Sequence, residues 1–141
     1  VGAYPEKHFE APNIATDIKY LKAKVDVGAE YIVTQMFYDN SAFFKFVDDC
    51  RSAGIDVPII PGIKILSTEK HLSVIPKIFY VDIPEILSEK VIGQSKEDIV
   101  NIGIEWALEQ VQELVEAKVP CVHFYIMSSA KSAAKVVSQF K

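Results

Sequence analysis

Tyr31-Ile32-Val33-Thr34-Gln35-Met36-Phe37-Tyr38-Asp39-Asn40 begins as an apolar, β-branched run and ends in an amide, aromatics and an acid, with a helical pattern directly behind it. Ile32 and Val33 suit a strand buried on both faces, as a parallel sheet flanked by helices requires. Gln35 stands toward the C-terminal end of that strand, where α/β proteins present the side chains that touch ligands. The order recurs. Val57-Pro58-Ile59-Ile60-Pro61-Gly62-Ile63 and Cys121-Val122-His123-Phe124-Tyr125-Ile126 are short apolar runs with polar or special residues at their far ends. An α/β chain built from strand-then-helix units, its strand tips carrying function, is expected.

Working outward, Val1 to Tyr4 reads as the end of a strand, followed by a polar loop through Pro5, His8, Pro12 and Asn13. Helical spacing of Ile18, Leu21, Val25 and Ala29 predicts a helix from Ala15 to Val27, capped by Thr16 or Asn13 and stopped by Gly28. A second helix follows the caps Asp39, Asn40 and Ser41, with Phe43, Phe44, Val47 and Cys50 as its core stripe. The third strand runs from Pro58 to Ile63, and Pro61-Gly62 implies a bend or a close backbone approach. Thr68 to Val74 reads as a short helix before Pro76, and Pro84 to Val91 as another. Ser95-Lys96-Glu97-Asp98 resembles a capping box opening a long helix with Ile104, Leu108, Val111 and Val115 inward. The fourth strand is Cys121 to Ile126, and Ala133, Val136, Val137 and Phe140 mark a final amphipathic helix.

The 141 residues allow one domain with a sizeable core, and a 50% hydrophobic, 24% charged composition is that of a soluble globular protein. With a net charge of −4 and no basic stripe, nucleic-acid binding is not expected. No apolar run approaches the ~20 residues of a membrane helix, and no signal peptide is visible. Cys50 and Cys121, both in apolar contexts, read as buried reduced thiols of a cytoplasmic protein. His8, His71 and His123 show no ligand-like spacing, so no metal site is expected. No Gly-rich phosphate loop follows a strand. Strand periodicity puts His123 and Tyr125 on one face and Phe124 on the other.

Five blocks now in view, Gly2 to Ala11, Leu21 to Ala29, Tyr31 to Asp39, Ile59 to Ile63 and His123 to Tyr125, resemble in order the catalytic domain of methylenetetrahydrofolate reductase, specifically its C-terminal half. The resemblance implies the C-terminal half, about four βα units, of a TIM (β/α)8 barrel, held as a single domain over residues 1–141. A complete barrel needs at least ~200 residues. The chain also opens without a methionine, inside an apparent strand. It is therefore read as an excised or truncated half barrel, expected to self-associate as a homo-oligomer through its open strand edges.

The resemblance further implies a flavoprotein that carries electrons from NADH or NADPH through FAD to methylenetetrahydrofolate. Tyr4, His8, Ala11, Asp17 and Lys24 match positions that contact FAD in the family. A lysine can pair with pyrophosphate, a carboxylate can accept from ribose hydroxyls, and an aromatic ring can pack on a flat one. Without the resemblance, Asp17 would be a first-turn acid favoured by the helix dipole and Lys24 a solvated surface lysine. Gln35 matches a glutamine that contacts folate; its amide donates and accepts at once, as the edge of a pterin ring requires. His71 and Tyr125 complete the expected substrate group. The family's general acid lies on a strand upstream of Val1, so no catalytic acid is assigned within this chain. Three departures concern the substrate: His71 replaces a family glutamine, Ile75 a shielding aromatic, and Ser129 an arginine suited to the anionic tail of folate. Lys131 is close enough in sequence to Ser129 to substitute as a point charge.

Overall fold

The structure, a computed structural model, describes residues 1–127 and 129–140. Strand and helix alternate as β1 (Gly2–Ala3), α1 (Ile14–Asp26), β2 (Ile32–Met36), α2 (Asn40–Ser52), β3 (Ile59–Ile63), α3 (His71–Phe79), α4 (Glu85–Val91), α5 (Lys96–Glu116), β4 (His123–Phe124) and α6 (Lys131–Val137), closing with a 3-10 turn, Ser138–Phe140. The strands form one parallel sheet in sequential order β1-β2-β3-β4. Right-handed crossovers between sequential parallel strands put the connecting helices on one face. One buried cluster accordingly joins Ile32, Ile59 and Ile63 of the sheet to Leu21, Phe43, Leu114 and Val136 of the helices. A second cluster packs Met36 and Leu66 against Ile75, Leu87 and Val91.

Local chemistry explains the starts of the elements. Asn13, not Thr16, caps α1, its side chain accepting the Thr16 N–H. Asp39 caps α2 through the Ser41 N–H, and Ser95 caps α5 through the Asp98 N–H. In β2, Ile32, Thr34 and Met36 are buried while Val33 and Gln35 are half-buried. That alternation gives a helix-covered face and an open face.

Four expectations are corrected. Pro76 lies inside α3 rather than ending a helix before it. Turn bonds from the His71 and Leu72 N–H groups to the Thr68 and Glu69 carbonyls lead into α3, the helix gives up the bond that Pro76 cannot donate, and left-handed Tyr80 ends it by donating to the Pro76 carbonyl. On α5, Val115 is 47% exposed and Leu114 is buried in its place. The inward stripe is Ile99, Gly103, Ile104, Ala107, Val111 and Leu114, while Leu108 packs only partly against the core. On α6, Val137 is 43% exposed while Ala133 and Val136 carry the burial. Cys121 is an exposed free thiol, unlike buried Cys50. It precedes β4, which is only His123–Phe124 at the sheet edge, and its thiol lies outside the core against which Val122 and Phe124 pack.

Behind the sheet a buried polar network fixes the β2–α2 junction to α5. Asn40 donates to the Gln110 carbonyl (3.0 Å) and the Glu113 carboxylate (2.6 Å). Gln110 donates to the Phe37 carbonyl and to Asn40 Oδ1, both at 3.1 Å, and the Trp106 indole donates to the Tyr38 carbonyl at 3.0 Å. Satisfied networks of this kind hold backbone in one position. The tip of β2 is thereby a rigid platform.

Candidate functional site

Tyr4 follows β1, Gln35 sits near the end of β2, Lys64 follows β3 and Tyr125 follows β4. All four gather along the C-terminal edge of a parallel sheet, the usual place for ligands in such folds. Two of the concavities formed by the described residues hold the expected site residues.

The larger is a groove of about 1000 Å³ between the β1–α1 loop and α1. Tyr4, His8, Ala11, Asp17 and Lys24, five residues scattered over the first 24 positions, all line it. The loop is braced by its own bonds: Lys7 Nζ donates to the Ala11 carbonyl (2.7 Å) and Ala11 N–H to the His8 carbonyl (3.0 Å). Lys7 is held at a φ of 93°, strain that the surrounding bonds must sustain. Asp17 Oδ2 accepts the His8 N–H at 2.8 Å, so this first-turn acid orders the loop while its second oxygen has no hydrogen-bond partner among the described residues. Tyr4 meets the His8 ring edge-on, centroids 4.7 Å apart. Lys24 takes part in no ion pair among the described residues, leaving its ammonium for a ligand.

The smaller, a cavity of about 130 Å³, lies between the ends of β3 and β4 and includes His71 and Tyr125. Tyr125 and His123 share a face, their rings 4.6 Å apart, while Phe124 packs toward the helices, as strand periodicity required. The Tyr125 hydroxyl donates to the Thr34 carbonyl at 2.9 Å, and Thr34 Oγ1 accepts the Gly62 N–H at 2.9 Å. A Cβ on Gly62 would sit 2.4 Å from the Thr34 oxygen and 2.7 Å from the Tyr125 ring, so glycine is required by the close approach expected there. Burial, and then the nearby Tyr4, raises the Tyr125 phenol above its ordinary value. Tyr4 lines the groove and Tyr125 the cavity, so the two concavities are neighbours along the strand tips. Gln35 lines neither. It lies between them on the half-buried side of β2, its Oε1 accepting the Met36 N–H at 3.0 Å. The amide NH2 has no protein acceptor among the described residues.

Lys64 was not singled out from the sequence, although the signal existed: it is a lysine two residues beyond Gly62, hence on the same face of the strand. It lines the cavity that the expected Lys131 does not. Among the described residues no group of His, Cys, Asp or Glu has a metal-binding arrangement.

Glu6 has an environment that its local sequence does not announce. Its carboxylate accepts the Asp82 N–H at 2.9 Å, and Phe9 stacks on Tyr80 with centroids 4.1 Å apart. These two contacts tie the β1–α1 loop to the link between α3 and α4. Burial raises the Glu6 carboxyl from 4.5 to about 7; the Asp82 N–H opposes the shift, and the Asp82 and Asp39 charges add to it. An acid raised on folding is penalised once ionised, so stability falls as pH climbs from 4.5 through 7. Glu6→Gln keeps an acceptor for Asp82 and loses the charge. After allowance for solvent screening, it should be about 1 kcal/mol more stable than wild type at pH 8 and equal to it near pH 4.5. Urea unfolding at both pH values checks this; parallel curves for the two proteins would refute it.

Comparison with known proteins matches residues 1–141 to the sequence model of the methylenetetrahydrofolate reductase family. Methylenetetrahydrofolate reductase (NADH) 1 of Arabidopsis thaliana is 37% identical over 148 residues, 97% of this chain and 25% of that protein. The 5,10-methylenetetrahydrofolate reductase of Escherichia coli is 38% identical over 133 residues, 93% of this chain and 45% of that one. The chain thus spans less than half the length of these relatives. A Clostridium thermocellum protein described as binding two copies of 5-methyl-5,6,7,8-tetrahydrofolic acid shares the fold, with a TM-score of 0.70 at 20% identity over 97% of this chain and 50% of that one. Matched along its whole length and by relatives from plant and bacterium, this chain belongs to the methylenetetrahydrofolate reductase family.

Proposed function

We propose that residues 1–141 form the C-terminal half of a (β/α)8 barrel that reduces 5,10-methylenetetrahydrofolate to 5-methyltetrahydrofolate, and that they supply part of its FAD site and part of its folate site. The sequential, all-parallel strand order supports the barrel, which repeats that arrangement. The observation that carries the functional reading is the groove: the five residues whose family counterparts contact FAD line one concavity beside the strand tips. FAD, when bound, supplies the redox step between NADH or NADPH and the folate. The chain's own residues bind and orient. Lys24 would pair with a phosphate, Asp17 would accept from a ribose hydroxyl, and Tyr4 and His8 would present ring surface. Gln35 offers its amide NH2 toward the pterin edge. Opening the methylene bridge needs an acid; in this reading it comes from outside residues 1–141.

The test is a flavin spectrum and a folate-reduction assay on the full-length protein. Bound flavin and turnover of ~1 per second or more are expected, whereas the 141-residue segment alone should show neither. A full-length protein without flavin and without folate reduction would overturn the reading. Lys24→Ala should weaken FAD binding by about 1.5 to 3 kcal/mol while sparing turnover of the loaded enzyme, because a charge-assisted contact to phosphate is lost. An unchanged flavin dissociation constant would return Lys24 to the solvated surface.

A further inference from the structure

The cavity at the ends of β3 and β4 is chemically one-sided. Among the described residues no aspartate or glutamate lines it, in a chain that carries 19 acids and a net charge of −4. Its polar lining is Lys64, His71, Tyr125 and the hydroxyls of Ser67, Ser129 and Ser132. Lys64 takes part in no ion pair among the described residues. It is half-buried, and desolvation lowers its pKa. An ammonium held partly out of water without a counter-charge is unfavourable until an anion joins it.

His71 adds to the same bias. Burial first, and the Lys64 charge second, keep its ring below the ordinary histidine range and therefore neutral at physiological pH. Its Nδ1 accepts the Ser67 N–H at 3.3 Å, which leaves Nε2 to carry the ring proton as a donor. Lys64, His71 and three serines thus line a volume of about 130 Å³. That is ample for an oxyanion, since ~10–15 Å³ suffices for one water. Ser129 in the lining cannot supply charge, and Lys131 is not part of the lining.

We propose that Lys64, rather than Ser129 or Lys131, is the specificity-determining cation that this cavity turns toward the carboxylate end of the folate substrate. This rests on the reading of the chain as part of a folate reductase. The same donors suit a phosphate of the nicotinamide nucleotide, so the test must separate the two oxyanions.

In the full-length protein, Lys64→Ala, Lys64→Met and Lys64→Arg are compared with wild type. The measurements are calorimetric titration with p-aminobenzoylglutamate, which carries the tail without the pterin, and KM for methylenetetrahydrofolate and for NADH and NADPH. Lys64→Ala and Lys64→Met should weaken p-aminobenzoylglutamate binding and raise the folate KM roughly ten- to a hundredfold, with kcat and both nucleotide KM values within about twofold. Lys64→Arg should recover most of the loss. Lys64→Met preserves the buried stem, so an effect in both variants is not a folding defect. Unchanged tail affinity in both would overturn the proposal, and a rise confined to the NADH or NADPH KM would overturn the carboxylate assignment in favour of phosphate. Lys64-dependent tail binding by a protein that reduces no folate would uphold this site and reject the enzymatic reading. Folate reduction indifferent to Lys64 would reject this site alone.

Discussion

Gly103→Ala should destabilise the protein by about 2 to 3 kcal/mol and lower its thermal midpoint by roughly 5–10 °C. A methyl group at Gly103 would lie 1.8 Å from the Leu66 carbonyl oxygen, 2.8 Å from its carbon and 3.3 Å from Ile65 Cγ2. Two of those three atoms are backbone, so no rotamer change relieves the clash. Alanine in a helix interior ordinarily gains up to about 1 kcal/mol over glycine, and here that gain is outweighed. The position is central to the site as well as to the core. Leu66 is buried in the second cluster, and Lys64 lies two residues before it, so displacing α5 drags the tip of β3. Reduced folate affinity should accompany the lower midpoint. Urea unfolding of the variant measures the first effect; a midpoint equal to or above wild type would mean that α5 can ride outward without loss.

Elements and caps were legible because they are local. Asp39 before a hydrophobic stripe and Ser95 three residues before an acid specify helix starts through bonds within one turn. The shared face of His123 and Tyr125 followed from strand periodicity alone. Gathering Tyr4, His8, Ala11, Asp17 and Lys24 into one groove required the family resemblance, since charge and spacing alone gave Lys24 and Asp17 ordinary surface roles. What was missed depends on distance along the chain. The Asn40–Gln110 bond spans 70 residues, and nothing in either local segment announces it. Nothing in the sequence of α5 marks Gly103 as required; the Leu66 backbone packed against it does. Cys121 was misjudged because an apolar run predicts burial only if something covers it. Lys64 was passed over for a similar reason: a lysine near a strand tip becomes informative only when its surroundings contain no acid.

Gln35→Ala in the full-length protein should cut kcat/KM for folate reduction roughly ten- to a hundredfold, the equivalent of about 1 to 3 kcal/mol, while FAD content stays unchanged. Gln35 sits within the register shift between Val33 and Met36, and its Oε1 already accepts the Met36 N–H. Half of the amide is therefore spent on the fold, and the NH2 is the half left for a ligand. Thr34, its neighbour, receives bonds from both Tyr125 and Gly62, so the backbone beneath Gln35 is fixed from two strands. Gln35→Glu separates the two roles. Glutamate retains an acceptor for Met36 and loses the donor. If the donor contacts substrate, Gln35→Glu should be as impaired toward folate as Gln35→Ala, with a thermal midpoint close to wild type. Wild-type folate kinetics in Gln35→Glu, together with a lowered midpoint in Gln35→Ala, would make the residue a strand-closing amide and remove it from the substrate site.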